Sequence, residues 1–161
     1  VKHAFRFSLC LACLAALATA QCATAQSKLE GAWKTAEIVA SSPDGLKGVN
    51  VPSALIIFTK GHYSMMYLVG EIPRPELPPK PTDTQLVEAW RPFMANSGSY
   101  ELKGTRFTLH PLLAKDPKAM KSGNYMTFEF EITGNRLHIK SKENSLGFPP
   151  DSADLLLDRI E

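Results

Sequence analysis

The sequence predicts an all-β fold, an eight-stranded antiparallel up-and-down barrel with one short helix after a proline-rich loop. Three observations carry this expectation. Several segments alternate polar and apolar residues with a period of two, the pattern of a strand with one buried face. Tight-turn dipeptides such as Lys60-Gly61, Lys103-Gly104 and Gly134-Asn135 separate these segments, as in consecutive hairpins. A single stretch, Thr82 to Ala95, has helical spacing instead. The competing arrangement is a two-sheet sandwich. Closure is favoured because open sheet edges invite aggregation and a closed barrel has none.

The 161 residues are 44% hydrophobic and 21% charged, which matches one ordinary globular domain. That mixture excludes wholesale disorder, a collagen-like chain and a multi-span membrane protein. A formal charge of +2 is too small for a protein that tracks a nucleic-acid backbone, so no nucleic-acid partner is expected.

Residues 1–25 read as a signal peptide and 26–161 as the barrel domain. Lys2 and Arg6 form a basic start, Phe7 to Ala18 an apolar run, and Ala18-Thr19-Ala20 and Ala23-Thr24-Ala25 are small-x-small cleavage sites. The apolar run is shorter than the ~20 residues a spanning helix needs. The expected destination is export, periplasmic or secreted, with no stable membrane insertion after removal of the signal. Gln21 before Cys22 argues against lipidation, because a lipidation site normally has a small residue there. Cys10, Cys13 and Cys22 all lie in this segment, so neither a disulfide nor a thiolate metal site is expected in the domain. Losing Lys2 and Arg6 from the 18 basic residues leaves them matched with the 16 acidic ones.

Leu29 to Ala40 is the first strand, followed by the turn signal Ser41-Ser42-Pro43-Asp44-Gly45. Pro52 to Thr59 is rich in branched residues, and His62 to Leu68 returns from it as a hairpin. Ser99 to Leu102 is a short strand, and Arg106 to His110 another that stops at Pro111. Tyr125 to Ile132 alternates with Met126, Phe128, Phe130 and Ile132 on one face. Arg136 to Ser141 does the same with Leu137 and Ile139, and Ala153 to Ile160 closes the chain. Five prolines between Pro73 and Pro81 forbid helix and central strand, so that stretch is a stiff loop. It leads into the helix, which Thr82 or Asp83 can cap and Pro92 would kink or shorten. Leu112 to Asn124 is irregular and carries Lys115, Lys118 and Lys121.

Gly31-Ala32-Trp33, at the start of the first strand, is a Gly-x-Trp that resembles the opening signature of lipocalins and the wider calycin group. Arg159 matches the basic residue that packs over that tryptophan in such barrels. The hairpin Ile56 to Tyr67, the helix, the Gly-x-Tyr strand at Gly98-Ser99-Tyr100, the strand ending at His110 and the turn Gly134-Asn135-Arg136-Leu137 follow in the order of the bacterial lipocalin-like domain family. The resemblance covers nearly all of residues 29–161 and implies a barrel with a ligand pocket, but no known reaction. The proline-rich insert departs from the family pattern.

Gly31, Trp33 and Arg159 are expected to be structural: a buried Trp can plug the narrow end of a barrel, with a cation above its ring. Tyr63, Met65 and Tyr67 share one strand face and would make an apolar pocket with a few hydroxyls. The alternative turns Met66 and Leu68 inward. Met126, Phe128 and Phe130 are assigned inward because Glu129 and Glu131 need the other face, and Phe107 and Leu109 join them as wall. Trp90, Phe93 and Met94 would form a lid or pack the helix on the barrel, and His110 would sit at the rim. His138, opposite the Leu137/Ile139 face, is expected in solvent. No His-x-His or His-x-x-x-His pair occurs, so neither metal nor cofactor is expected. No nucleophile elbow or phosphate loop is present, and no catalytic residue is assigned.

The expected function is binding of a small apolar or amphipathic molecule inside the barrel. Two alternatives stay open: a barrel enzyme of isomerase or hydrolase type in the same cavity, and a solid barrel acting as an interaction module.

Overall fold

Eight strands run up and down and close on themselves in chain order, every neighbouring pair antiparallel. The computed structural model describes residues 28–38, 53–69 and 74–161. The signal-peptide segment and the turn at 41–45 lie outside the described residues. The strands are β1 Gly31–Ile38, β2 Ser53–Phe58, β3 His62–Leu68, β4 Phe93–Lys103, β5 Arg106–Ala114, β6 Met126–Thr133, β7 Arg136–Asn144 and β8 Asp154–Arg159. Helix α1, Asp83–Trp90, lies between β3 and β4, and a short 3₁₀ turn, Pro117–Met120, between β5 and β6. Closure is made by β1 against β8, with Trp33 opposite Arg159 and Thr35 opposite Leu157.

The alternation seen in the sequence is the inside–outside alternation of the barrel. Ala54, Ile56 and Phe58 of β2 are buried, as are Phe107 and Leu109 of β5 and Leu137 and Ile139 of β7. Of the two inward faces that the sequence left open for β3, the Tyr63/Met65 face is the buried one. Tyr63 and Met65 of β3 are buried together with Phe128 and Phe130 of β6, while Met66 is exposed. The register makes this compatible, because β3 and β6 lie in different walls and each sets its own phase.

One half of the barrel is solid. Phe107 sits at its centre, 5.3 Å from the Phe58 ring, 5.3 Å from Phe128 and 5.8 Å from Phe130. Below it Trp33, fully buried, donates its indole N–H to the Leu29 carbonyl at 2.8 Å. Gly31 permits this end to close. Its φ is +130°, and a Cβ would meet the Glu161 carbonyl oxygen at 2.4 Å and an Arg159 guanidinium nitrogen at 2.5 Å.

Three boundaries differ most from expectation. The helix stops at Trp90 rather than continuing to Ala95. Pro92 has no N–H to donate to a further turn, and Phe93, Met94 and Ala95 pair instead with Leu68, Tyr67 and Met66 as the first residues of β4. Strand β4 therefore begins six residues before the predicted Ser99. Strand β5 does not stop at Pro111 but runs on to Ala114. A bulge absorbs the proline: Gly98 pairs with Pro111 and Ser97 with Leu113, leaving Leu112 extra. Gly98 is essential there, since a Cβ would lie 2.0 Å from the His110 carbonyl oxygen.

The helix has a full capping box. Gln85 N–H donates to Thr82 Oγ1 at 3.3 Å and Thr82 N–H to Gln85 Oε1 at 2.9 Å. None of its residues is buried, and Leu86, Val87 and Trp90 are exposed. Its apolar stripe is thus left largely in solvent, with Trp90 meeting the barrel only at Phe93 of β4.

Candidate functional site

The other half of the barrel is hollow. A cavity of about 390 Å³ opens at the end where β3, β5 and β7 finish. Phe128 forms its floor, Met65, Tyr67 and Val69 line the β3 side, and Met126 and Leu155 line the opposite wall. Phe148 stands at the mouth, about half exposed. It is held there by Asn144, whose Oδ1 accepts the backbone N–H groups of Leu146, Gly147 and Phe148 at 2.9, 2.9 and 3.0 Å. The Asn144 Nδ2 donates back to the Phe148 carbonyl at 2.9 Å.

The remaining polar lining residues divide into paired and unpaired groups. Ser141 and Ser152 face each other through their hydroxyls at 3.4 Å, and Ser141 also accepts the Ala153 N–H at 3.0 Å. The Thr127 hydroxyl bonds to Thr108 at 3.1 Å. The Asp154 carboxylate, 4% exposed, turns away to His138 Nε2 at 2.5 Å and Lys140 Nζ at 3.1 Å. Glu143 lies 3.9 Å from Arg106 and is largely in solvent. Asn96 differs: its Oδ1 accepts the Tyr63 hydroxyl at 2.7 Å, while its Nδ2 has no protein partner among the described residues. The Tyr67 hydroxyl likewise has none among the described residues. Burial pushes the Tyr63 and Tyr67 hydroxyls above the ordinary tyrosine value of 10.0, so both are protonated at neutral pH. Among the described residues, no lysine or arginine lines the cavity.

The predicted ligand contacts fall into three places. Met65, Tyr67, Met126 and Phe128 line the cavity. Tyr63, Phe107, Leu109 and Phe130 are in the solid core beneath, Tyr63 reaching the cavity only through Asn96. Trp90, Phe93 and His110 do not line it, and this corrects their expected positions. Trp90 is clamped outside the rim, its ring 5.7 Å from Phe93 and its face 5.3 Å from the Lys115 ammonium, which also bonds the Trp90 carbonyl at 2.6 Å. His110 follows inward-facing Leu109 and so points outward, its Nε2 3.9 Å from Glu101 Oε1 beside a surface groove formed with Met120 and Lys121 to Asn124. His138, expected in solvent, has 42% of its side chain exposed and also bonds buried Asp154.

Sequence reading missed Asn96, Asn144, Phe148 and Leu155. Asn96 had a signal: counting back by two from buried Tyr100 passes Gly98 and reaches it, once β4 is allowed to start earlier. Leu155 had none, because Leu155-Leu156-Leu157 does not alternate. Phe148 sits in a loop whose path is set by Asn144.

At the solid end the Arg159 guanidinium lies 4.1 Å from the Trp33 ring centroid and donates to the Glu30 carbonyl at 2.6 Å and to the Lys28 carbonyl. Gly31, Trp33 and Arg159 thus stand together, remote from the cavity. Among the described residues, no group of three or more His, Cys, Asp or Glu side chains could hold a metal ion. No helix there is long and apolar enough to cross a membrane. No family model, curated protein or solved structure matches this chain.

Proposed function

We propose that the protein is an exported lipocalin-like barrel that binds a small apolar or amphipathic molecule in its open end. The observation that carries this reading is the cavity of about 390 Å³ walled by Met65, Tyr67, Met126, Phe128 and Leu155. Small-molecule sites are concave, mostly apolar and roughly 300–1,000 Å³ in volume, with a few placed polar groups. The driving force is desolvation. A ligand burying roughly 200 Å² of apolar surface gains about 5 kcal/mol before the cost of association. The hollow half also speaks against a barrel that is solid throughout. The opening signature and the Arg159–Trp33 contact support the family, and the basic, apolar and small-residue order of residues 1–25 supports export.

Native mass spectrometry on protein purified from its host's envelope fraction tests this reading. A small-molecule adduct retained under native conditions and lost on denaturation is expected, on a chain lacking residues 1–25. Met126→Trp, which fills the cavity, should abolish the adduct while the barrel remains folded. A bare mass, with no binding of a neutral fluorescent probe or a lipid panel, would overturn it.

A further inference from the structure

On the β3–β4 side of the cavity, two neutral groups have hydrogen-bonding capacity left over. Asn96 and Tyr67 are diagonal neighbours on the inward face, since Met65 pairs with Asn96 and Tyr67 with Met94. Tyr63 is the partner of the Asn96 amide oxygen. Its hydroxyl donates to Asn96 Oδ1 at 2.7 Å, so the amide oxygen is engaged and the NH₂ is free. Tyr67 adds a second free hydroxyl, held protonated by its burial. The serines, Thr127, Asn144 and Asp154 are engaged with protein partners, as described above. Two neutral groups able to donate, the Asn96 NH₂ and the Tyr67 hydroxyl, therefore face a ligand beside the apolar wall of Met65 and Phe128. The nearby charges are carboxylates, Glu143 and Asp154, and no lysine or arginine among the described lining residues balances an anion. Burying an unpaired carboxylate there would carry a large desolvation cost.

We propose that the ligand carries a neutral carbonyl oxygen on an apolar body, as in a ketone or an ester, and that this oxygen accepts hydrogen bonds from Asn96 Nδ2 and the Tyr67 hydroxyl. This rests on the cavity-binding reading above. The body of the ligand then runs from Met65 and Phe128 toward Phe148 at the mouth. Carboxylates of the same length are rejected.

The test is displacement of a neutral fluorescent probe, N-phenyl-naphthylamine, from the full chain at about pH 8, where carboxylic acids are ionised. The competitors are a methyl ketone, a methyl ester, a hydrocarbon and a carboxylate of matched chain length. The ketone and the ester should bind at least about tenfold more tightly than the carboxylate. Comparing ketone with ester shows whether a free ketone or an acyl ester is the better source of the same oxygen. Tyr67→Phe should weaken the ketone by about three- to tenfold and leave the hydrocarbon unchanged or tighter. Asn96→Leu should do the same, and Tyr67→Phe stands alone if Asn96→Leu does not fold. A carboxylate that binds as tightly as the ketone, or a ketone-to-hydrocarbon ratio that neither variant moves, would overturn this proposal and leave the cavity reading intact. Failure of the probe and all four competitors to bind would overturn both.

Discussion

The guanidinium of Arg159 covers the face of Trp33 at 4.1 Å, and the same group donates to the Glu30 carbonyl at 2.6 Å. One side chain from the last strand thus seals the solid end and ties it to the residues preceding the first strand. Trp33→Ala should cost about 3–5 kcal/mol, the range for deleting a buried Trp. Arg159→Lys keeps the charge but loses the planar fork, and should cost about 1–2 kcal/mol. Urea unfolding midpoints check both. Probe binding per folded molecule should be unchanged, because the cavity lies at the other end. A stable Trp33→Ala protein that had lost only binding would contradict the assignment.

Gly98 faces Pro111 across the β4–β5 bulge, and the missing side chain is what lets the strands meet. Gly98→Ala would put a Cβ 2.0 Å from the His110 carbonyl oxygen, against backbone that cannot move aside cheaply. It should cost more than about 3 kcal/mol, in the range reserved for a few specific mechanisms. Gly61→Ala is the comparison: nothing lies within 4 Å, and only its φ of +82° is strained. That substitution should cost about 1–2 kcal/mol. Equal thermal midpoints for the two variants would show that the bulge tolerates the added carbon.

The buried tyrosines make the barrel sensitive to alkali. Tyr63 and Tyr67 bind their protons more tightly in the folded chain than at the ordinary value of 10.0. Above pH 10 the unfolded chain releases those protons while the folded one retains them, so unfolding is progressively favoured. The stabilisation is fully present below that pH and is lost as pH rises toward the folded values. In a near-ultraviolet titration, the phenolate signal of these two tyrosines should appear only together with unfolding. Tyr63→Phe and Tyr67→Phe should each remove part of that coupled step. A smooth titration of all 4 tyrosines with the fold intact would count against it.

Asp154 is buried on the outer wall between His138 and Lys140. Removing one basic partner leaves the other. Each of His138→Ala and Lys140→Ala should therefore cost about 1 kcal/mol, modest because both side chains are partly in solvent. Removing both strands a buried carboxylate, and the double variant should approach about 3 kcal/mol or more. A double-mutant cycle measures the excess over the sum. Simple additivity would show that Asp154 is solvated well enough without them.

The barrel itself was legible because β-strands advertise their inward face with a period of two. Met126, Phe128 and Phe130 against Glu129 and Glu131, and Leu137 and Ile139 against their neighbours, point where alternation puts them. The hairpin turns at Gly61, Gly104 and Gly134 were equally legible, each glycine having positive φ. Local pattern misled where pairing outweighed it. Phe93, Met94 and Ala95 fit a helical stripe, yet the ladder to β3 claims them. Pro111 reads as a stop, yet the bulge beside Gly98 carries the strand past it.

What the amino-acid sequence determined by itself is the order of the strands, the inward phase of β5, β6 and β7 and the aromatic residues that these strands turn inward. These are local properties, written in the spacing of neighbouring side chains. Only the tertiary structure decided that the barrel is solid around Phe107 and hollow above Phe128, because filling depends on how side chains from all the walls meet. It also decided that Asn96 turns a free amide into the hollow and that His110 turns away from it. Asn96 gains its role through a hydrogen bond to Tyr63, 33 residues distant in the chain, and a contact of that kind leaves no trace in local periodicity.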